Sequence, residues 1–136
     1  MKINAYLNFK GNCAAALKFY QKTLGAKVVF KMTYGQSPMC KEMPKKLHKQ
    51  IIHARITVGQ NILMLSDCPP DRYDAPKGIT ISINVDQPKE AEKLFAALSK
   101  KGKIHMPMAE TFWAKRFAMF SDQFGIPWMI NCEKKN

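Results

Sequence analysis

A change of hydrophobic period that occurs twice, in the same order, restricts this chain more than any other feature. Residues 3–9 alternate, with Ile3, Ala5, Leu7 and Phe9 on one side and Asn4, Tyr6 and Asn8 on the other, as in a half-buried strand. Gly11-Asn12 then opens a helix. Asn12 is its expected N-cap, Ala16, Leu17, Phe19, Tyr20 and Leu24 form its apolar stripe, and Gly25 is its left-handed stop. Strands are predicted at 27–33, at 51–58 and, after the turn Gly59-Gln60-Asn61, at 62–65. Three prolines and a glycine punctuate 68–78, which reads as a linker. Beyond it the order returns, with a strand at 79–85 and a helix that has Pro88 in its first turn and Ala91, Leu94, Phe95 and Leu98 inward. Gly102 is its expected stop, and strands follow at about 103–108, 115–121 and 127–132. Phe19…Gly25-Ala26-Lys27-Val28 has an echo in Phe95…Gly102-Lys103-Ile104, a sign of duplication. The expectation is one α+β domain of two βαβββ modules, about 1–67 and 79–136.

A sheet covered by a helix on one face leaves the other face bare, and two equivalent halves can set their bare faces around a shared cavity. Alternation puts Leu7, Phe9, Ile52, Ala54, Ile56, Val58, Leu63, Leu65, Ile81, Ile83 and Val85 under the helices. The opposite set is Asn4, Tyr6, Asn8, His53, Arg55, Thr57, Met64, Thr80, Ser82, Asn84, Met129 and Asn131. It is too polar for plain core, and is either a ligand-binding face or a sheet face in water.

The chain has 136 residues, 46% of them hydrophobic, so it can bury a core without disulfides and is not a disordered polycation. No apolar run approaches the roughly 20 residues of a membrane-spanning helix, and the start lacks the apolar core of a signal peptide. Cys13, Cys40, Cys68 and Cys132 lie far apart with no zinc-site spacing, which predicts reduced thiols and a cytoplasmic protein. The formal charge of +12 raises the question of nucleic acid. Of 22 cations, however, only Arg55, Arg72 and Arg116 are arginines, and the densest cluster, Lys41, Lys45, Lys46, His48 and Lys49, sits among prolines and a glycine. A solvated loop is the expectation there; a weak, salt-sensitive contact with a polyanion is a third-rank alternative.

Three blocks carry a family likeness: Gly11-Asn12-Cys13-Ala14-Ala15-Ala16-Leu17-Lys18-Phe19-Tyr20; His53-Ala54-Arg55 leading to Leu63-Met64-Leu65-Ser66-Asp67; and Glu110-Thr111-Phe112-Trp113 through Asp122-Gln123-Phe124-Gly125-Ile126-Pro127-Trp128-Met129-Ile130-Asn131. The chain resembles the PhnB-like branch of the vicinal oxygen chelate superfamily, relatives of glyoxalase I. The resemblance implies paired modules forming a cupped, barrel-like cavity, usually in a homodimer. It also implies a divalent metal held by His, Gln or Glu at four strand positions, which fall here at or near Asn4, Met64, Thr80 and Asn131. None of the four is a histidine or a carboxylate, so no metal or other cofactor is expected at that place.

His53 could act as a base, a ligand or a hydrogen-bond donor to an anion, or be a histidine satisfied by its neighbours. Glu110 could pair with His53 or Arg55, orient a ligand, or cap a turn. These two are the candidate catalytic residues. Tyr6, Asn8, Arg55, Met64, Thr80, Trp113 and Asn131 are the candidate pocket, with Phe112 and Phe117 either beside Trp113 in it or in the core. Asp67 and Asp122 read as turn formers and Trp128 as structural. Cys13 stands in the first helical turn, where the dipole could lower its thiol pKa, but no base is identifiable beside it. The leading expectation is a protein that binds a small polar or anionic molecule. The alternative is a lyase, isomerase or dioxygenase with a displaced metal site. A methyltransferase is excluded, because no glycine-rich loop after a first strand is followed by an acidic residue after the second.

Overall fold

The computed structural model describes residues 1–135; Asn136, assigned above to the second module, lies outside the described residues. In chain order the elements are β1 (Ala5–Phe9), α1 (Cys13–Leu24), β2 (Lys27–Thr33), β3 (Ile51–Val58), β4 (Asn61–Asp67), β5 (Ile81–Asn84), α2 (Pro88–Leu98), β6 (Lys103–Ala109), β7 (Ala114–Ser121) and β8 (Pro127–Glu133). This is the α+β, twice-βαβββ order. The chain divides into two compact units between Asp74 and Ala75, and a short 3-10 turn, Pro70–Arg72, falls within the proline-rich segment.

Each module forms its own four-stranded mixed sheet, in the orders β1-β4-β3-β2 and β5-β8-β7-β6. The first and last strands of each module pair in parallel, β1 with β4 and β5 with β8, and the other neighbours are antiparallel. The described residues thus make two sheets and no closed barrel. Two of the edge strands suit that outcome: β5 has four residues, and β6 carries Pro107 and two register shifts, features that discourage further pairing.

The helix-side assignment holds at the centre of the first sheet. Leu7, Phe9, Ala54, Ile56 and Leu65 are buried, as are Cys13, Ala16, Leu17 and Tyr20 of α1, which packs on β2, β3 and β4. Each large apolar side chain enclosed there contributes about 1.5–3 kcal/mol. In the second module Ala91 and Leu98 of α2 are buried, together with Ala118, Phe120, Trp128 and Ile130.

Three local expectations need correction. The first strand starts at Ala5, and Ile3 is 90% exposed, because pairing begins at Ala5↔Leu63 and Asn61 closes the turn by bonding the Val58 carbonyl. Asn12 occupies the N-cap position, but its side chain makes no capping bond. Gly102 does not itself stop α2, which ends at Leu98 with Ser99 as C-cap. A Cβ at Gly102 would strike the Ser121 carbonyl oxygen and the Asp122 backbone, so close approach is what requires glycine there. Gly25 is left-handed as expected, with φ of 66°.

The basic stretch after β2 forms three short 3-10 turns, Tyr34–Gln36, Cys40–Glu42 and Lys45–Leu47. His48 fastens them, with Nε2 donating to the carbonyls of Cys40 at 2.8 Å and Met43 at 3.0 Å.

Candidate functional site

On the face of the first sheet away from α1, register sets a row across all four strands: Tyr6 beside Met64, Met64 beside Arg55, and Arg55 beside Phe30. His53, two residues before Arg55 on β3, shares their face. The Tyr6 hydroxyl lies 3.0 Å from His53 Nδ1. In the neutral imidazole protonated at Nε2, the tyrosine donates this bond; in the imidazolium, Nδ1–H donates instead. Ring contacts continue on both sides of His53, to Tyr6 at 5.6 Å between centroids and to Phe30 at 5.7 Å. Arg55 is exposed, and among the described residues no carboxylate stands within ion-pair distance of it. Asn8 is exposed beside Ser66, and Asn4 precedes the strand.

Phe30 belongs to this group although the pattern of residues did not single it out. A register shift between Val28 and Phe30 breaks the alternation of β2 where its face would have been read.

The corresponding face of the second sheet carries amides together with a ring, for Phe117 is the register partner of Asn131. Asn84 pairs in register with Asn131, and Ser82 with Met129. Ser82 Oγ donates to Asn84 Oδ1, and Asn131 Nδ2 donates to Asn84 Oδ1 and Glu133 Oε1, each at 3.4 Å. Asn131 Oδ1 is buried without a hydrogen-bond partner among the described residues. Thr80 is half-buried, just before β5.

Glu110 has an ion-pair partner within its own unit. Its carboxylate pairs with Lys134 Nζ at 2.9 Å, on an exposed surface. The hydrogen bond and charge of Lys134 hold the Glu110 carboxyl below its ordinary range. The neighbouring turn closes through Thr111, which exchanges bonds with Ala114: backbone to backbone at 3.0 Å, and Ala114 N–H to Thr111 Oγ1 at 3.0 Å. Trp113 meets Phe112 edge-on at 4.8 Å and Phe117 at 5.1 Å; Phe117 is buried, whereas Phe112 is 87% exposed.

The buried carboxylates have structural work. Asp67 accepts the Cys13 N–H at Oδ1 and the Ile51 N–H at Oδ2, both at 2.9 Å, and its backbone carbonyl accepts the Tyr34 hydroxyl at 2.6 Å. It therefore caps α1 from the far end of β4, the role expected of Asn12. Asp122 accepts the N–H groups of Phe124 at 2.9 Å and Ile126 at 3.1 Å, and the Trp128 indole N–H at 2.9 Å. Burial, with the Asp67 charge added, pushes the Cys13 thiol far up rather than down, so the helix dipole does not make it a thiolate.

For the metal of the resemblance, the donor set decides. Asn4, Met64, Thr80 and Asn131 offer two amides, a thioether and a hydroxyl, with no imidazole and no negative charge. The one buried donor left over, Asn131 Oδ1, is a neutral carbonyl that calls for a hydrogen-bond donor. This set does not fit a catalytic divalent ion.

The model of the Glyoxalase/Bleomycin resistance protein/Dioxygenase superfamily matches residues 2–130. The chain belongs to that superfamily. Protein YjdN of Escherichia coli (strain K12) is 35% identical over 143 residues, across 99% of this chain and 97% of that protein. The crystal structure of PA1353 from Pseudomonas aeruginosa matches with a TM-score of 0.89 and 43% identity, over 99% of both chains. The PhnB protein of Bacillus cereus, at 22% identity, shares the fold with a TM-score of 0.82 over 97% of this chain and 99% of that one. None of the helices in this chain's described residues is long and apolar enough to cross a membrane.

Proposed function

We propose that this PhnB-like protein binds a small polar or anionic molecule, with no divalent metal at the four positions of the resemblance. The observation that carries the reading is the Arg55 guanidinium, charged and without a carboxylate partner among the described residues, on the same face as the hydrogen-bonded Tyr6–His53 pair. A guanidinium in that setting is a donor array awaiting an anion. Calorimetric titration with small carboxylates and inorganic phosphate in the presence of a chelator tests it. Saturable binding that Arg55→Ala abolishes is the expected result; binding that needs added metal, or that ignores Arg55, overturns it.

The metal-dependent alternative used His53 with Glu110, and the engagement of Glu110 by Lys134 speaks against it. We further propose a homodimer, as the resemblance implies, and a cytoplasmic location, from the cysteine usage. The exposure of Phe112 at 87%, Ile104 at 49% and Met106 at 44% supports self-association, and four free cysteines support a reducing compartment. A monomeric mass in sedimentation equilibrium would overturn the dimer.

A further inference from the structure

The chemical class of the anion can be narrowed from the first module's own face. Tyr6 and Phe30 flank His53, inclined to it by 30° and 46°, so three rings drawn from β1, β3 and β2 form a continuous shallow row. Tyr6 is 42% exposed and Phe30 40%, which leaves π surface accessible. The Tyr6–His53 bond fixes the central ring, so a ligand lying on the row meets a floor already in place.

Arg55 stands two residues along β3 from His53, a step of about 6.6 Å, and is the neighbour of Phe30 in register. Its fork takes a carboxylate or a phosphate oxygen pair in two parallel bonds, so the floor beside it decides between anions. An aromatic floor, in turn, favours a flat π system over a puckered body of the same volume. A ring bonded directly to a carboxylate spans the short step from floor to fork, and the Met64 thioether, beside both Tyr6 and Arg55, is a polarisable filler at its edge.

We propose that this face takes a planar aromatic carboxylate, its ring on the Tyr6–His53–Phe30 row and its carboxylate in the fork of Arg55. The inference rests on the anion-binding reading above. Its test is calorimetric titration of the full chain with benzoate, cyclohexanecarboxylate and inorganic phosphate. Benzoate and cyclohexanecarboxylate share charge and approximate size, and differ in flatness and π character. Benzoate should bind at least tenfold more tightly than cyclohexanecarboxylate, a difference of about 1.4 kcal/mol. Phe30→Leu should shrink that ratio below about threefold, and Arg55→Lys, which keeps the charge and loses the fork, should weaken benzoate about tenfold. Cyclohexanecarboxylate or phosphate binding as well as benzoate, with Arg55 still required, would overturn the aromatic class and leave the anion reading standing. A ratio unmoved by Phe30→Leu would overturn the proposed floor. No binding of any of the three would overturn both.

Discussion

The two modules repeat one order of elements but hold themselves together differently. In the first, a single buried carboxylate, Asp67, ties the start of α1 and the start of β3 to the end of β4, and its backbone receives Tyr34. In the second, Asp122 serves a local turn and the Trp128 indole within six residues of itself. The faces differ too: exposed rings and an arginine in the first, a ladder of amides and a serine beside the buried Phe117 in the second. A duplicated scaffold can therefore keep its succession of elements while its anchors and its chemistry diverge, since hydrophobic period sets element type and buried face and neither anchor depends on it.

Removing the two anchors should give the largest effects and rank the modules. Asp67→Ala leaves two buried N–H groups without an acceptor and Asp122→Ala leaves three donors without one, so each should cost about 3–4 kcal/mol in urea unfolding, with Asp122 at least as costly. A clearly larger loss at Asp67 would show that tying distant elements counts for more than the number of donors. Next come the glycines. Gly102→Ala drives a Cβ into backbone of the Ser121–Asp122 turn and should cost about 2 kcal/mol or more, whereas Gly25→Ala meets open space and should cost only the left-handed penalty of about 1 kcal/mol.

Alkali should separate the modules by a smaller margin. Cys13, Cys68 and Tyr34 all lie in the first compact unit, which ends at Asp74, and burial raises the pKa of each, with Asp67 adding to it. A raised acid stays protonated in the native chain while the unfolded chain ionises, so stability is intact below the unfolded value and falls as pH rises past it. For the thiols that window opens at about pH 8.5, with a slope of at most about 1.4 kcal/mol per pH unit for each group. Hydrogen exchange should show β1–β4 loosening first. Trp113 and Trp128, both in the second module, should report later by fluorescence; simultaneous change in both probes would break the distinction. The smallest effects belong to surface ion pairs. Glu92–Arg116, at 3.0 Å with side chains 55% and 38% exposed, should contribute under about 0.5 kcal/mol in a double-mutant cycle. Glu110 should titrate below the ordinary glutamate value of about 4.3 by NMR, losing its pair with Lys134 as pH falls through that depressed value, and Glu110→Gln should leave the urea midpoint unmoved.

Hydrophobic period located most of the elements, because period records which face of a segment is buried. The strands at 27–33 and 51–58 match β2 and β3 to the residue, and the same alternation put Tyr6, His53, Arg55 and Met64 on one face. Period carries no information about partners brought together by the fold. The cap of α1 comes from Asp67, 54 residues away, and the ion-pair partner of Glu110 is Lys134, which no pattern singles out. Phe30 was hidden for a third reason, a shift in register that alternation cannot anticipate.

The parallel pairing of first strand with last sets an order of events during synthesis. Ala5 leaves the ribosome well before its partner Leu63, which emerges only when the first module is nearly complete, and Ile81 waits likewise for Trp128. Until then each leading strand has an unsatisfied edge, and the closing contact is the most distant in its module. A nascent chain released before β4 would hold a helix, a hairpin and an orphaned strand, the combination most open to capture by another chain, so the pace of translation through 59–67 becomes a determinant of yield.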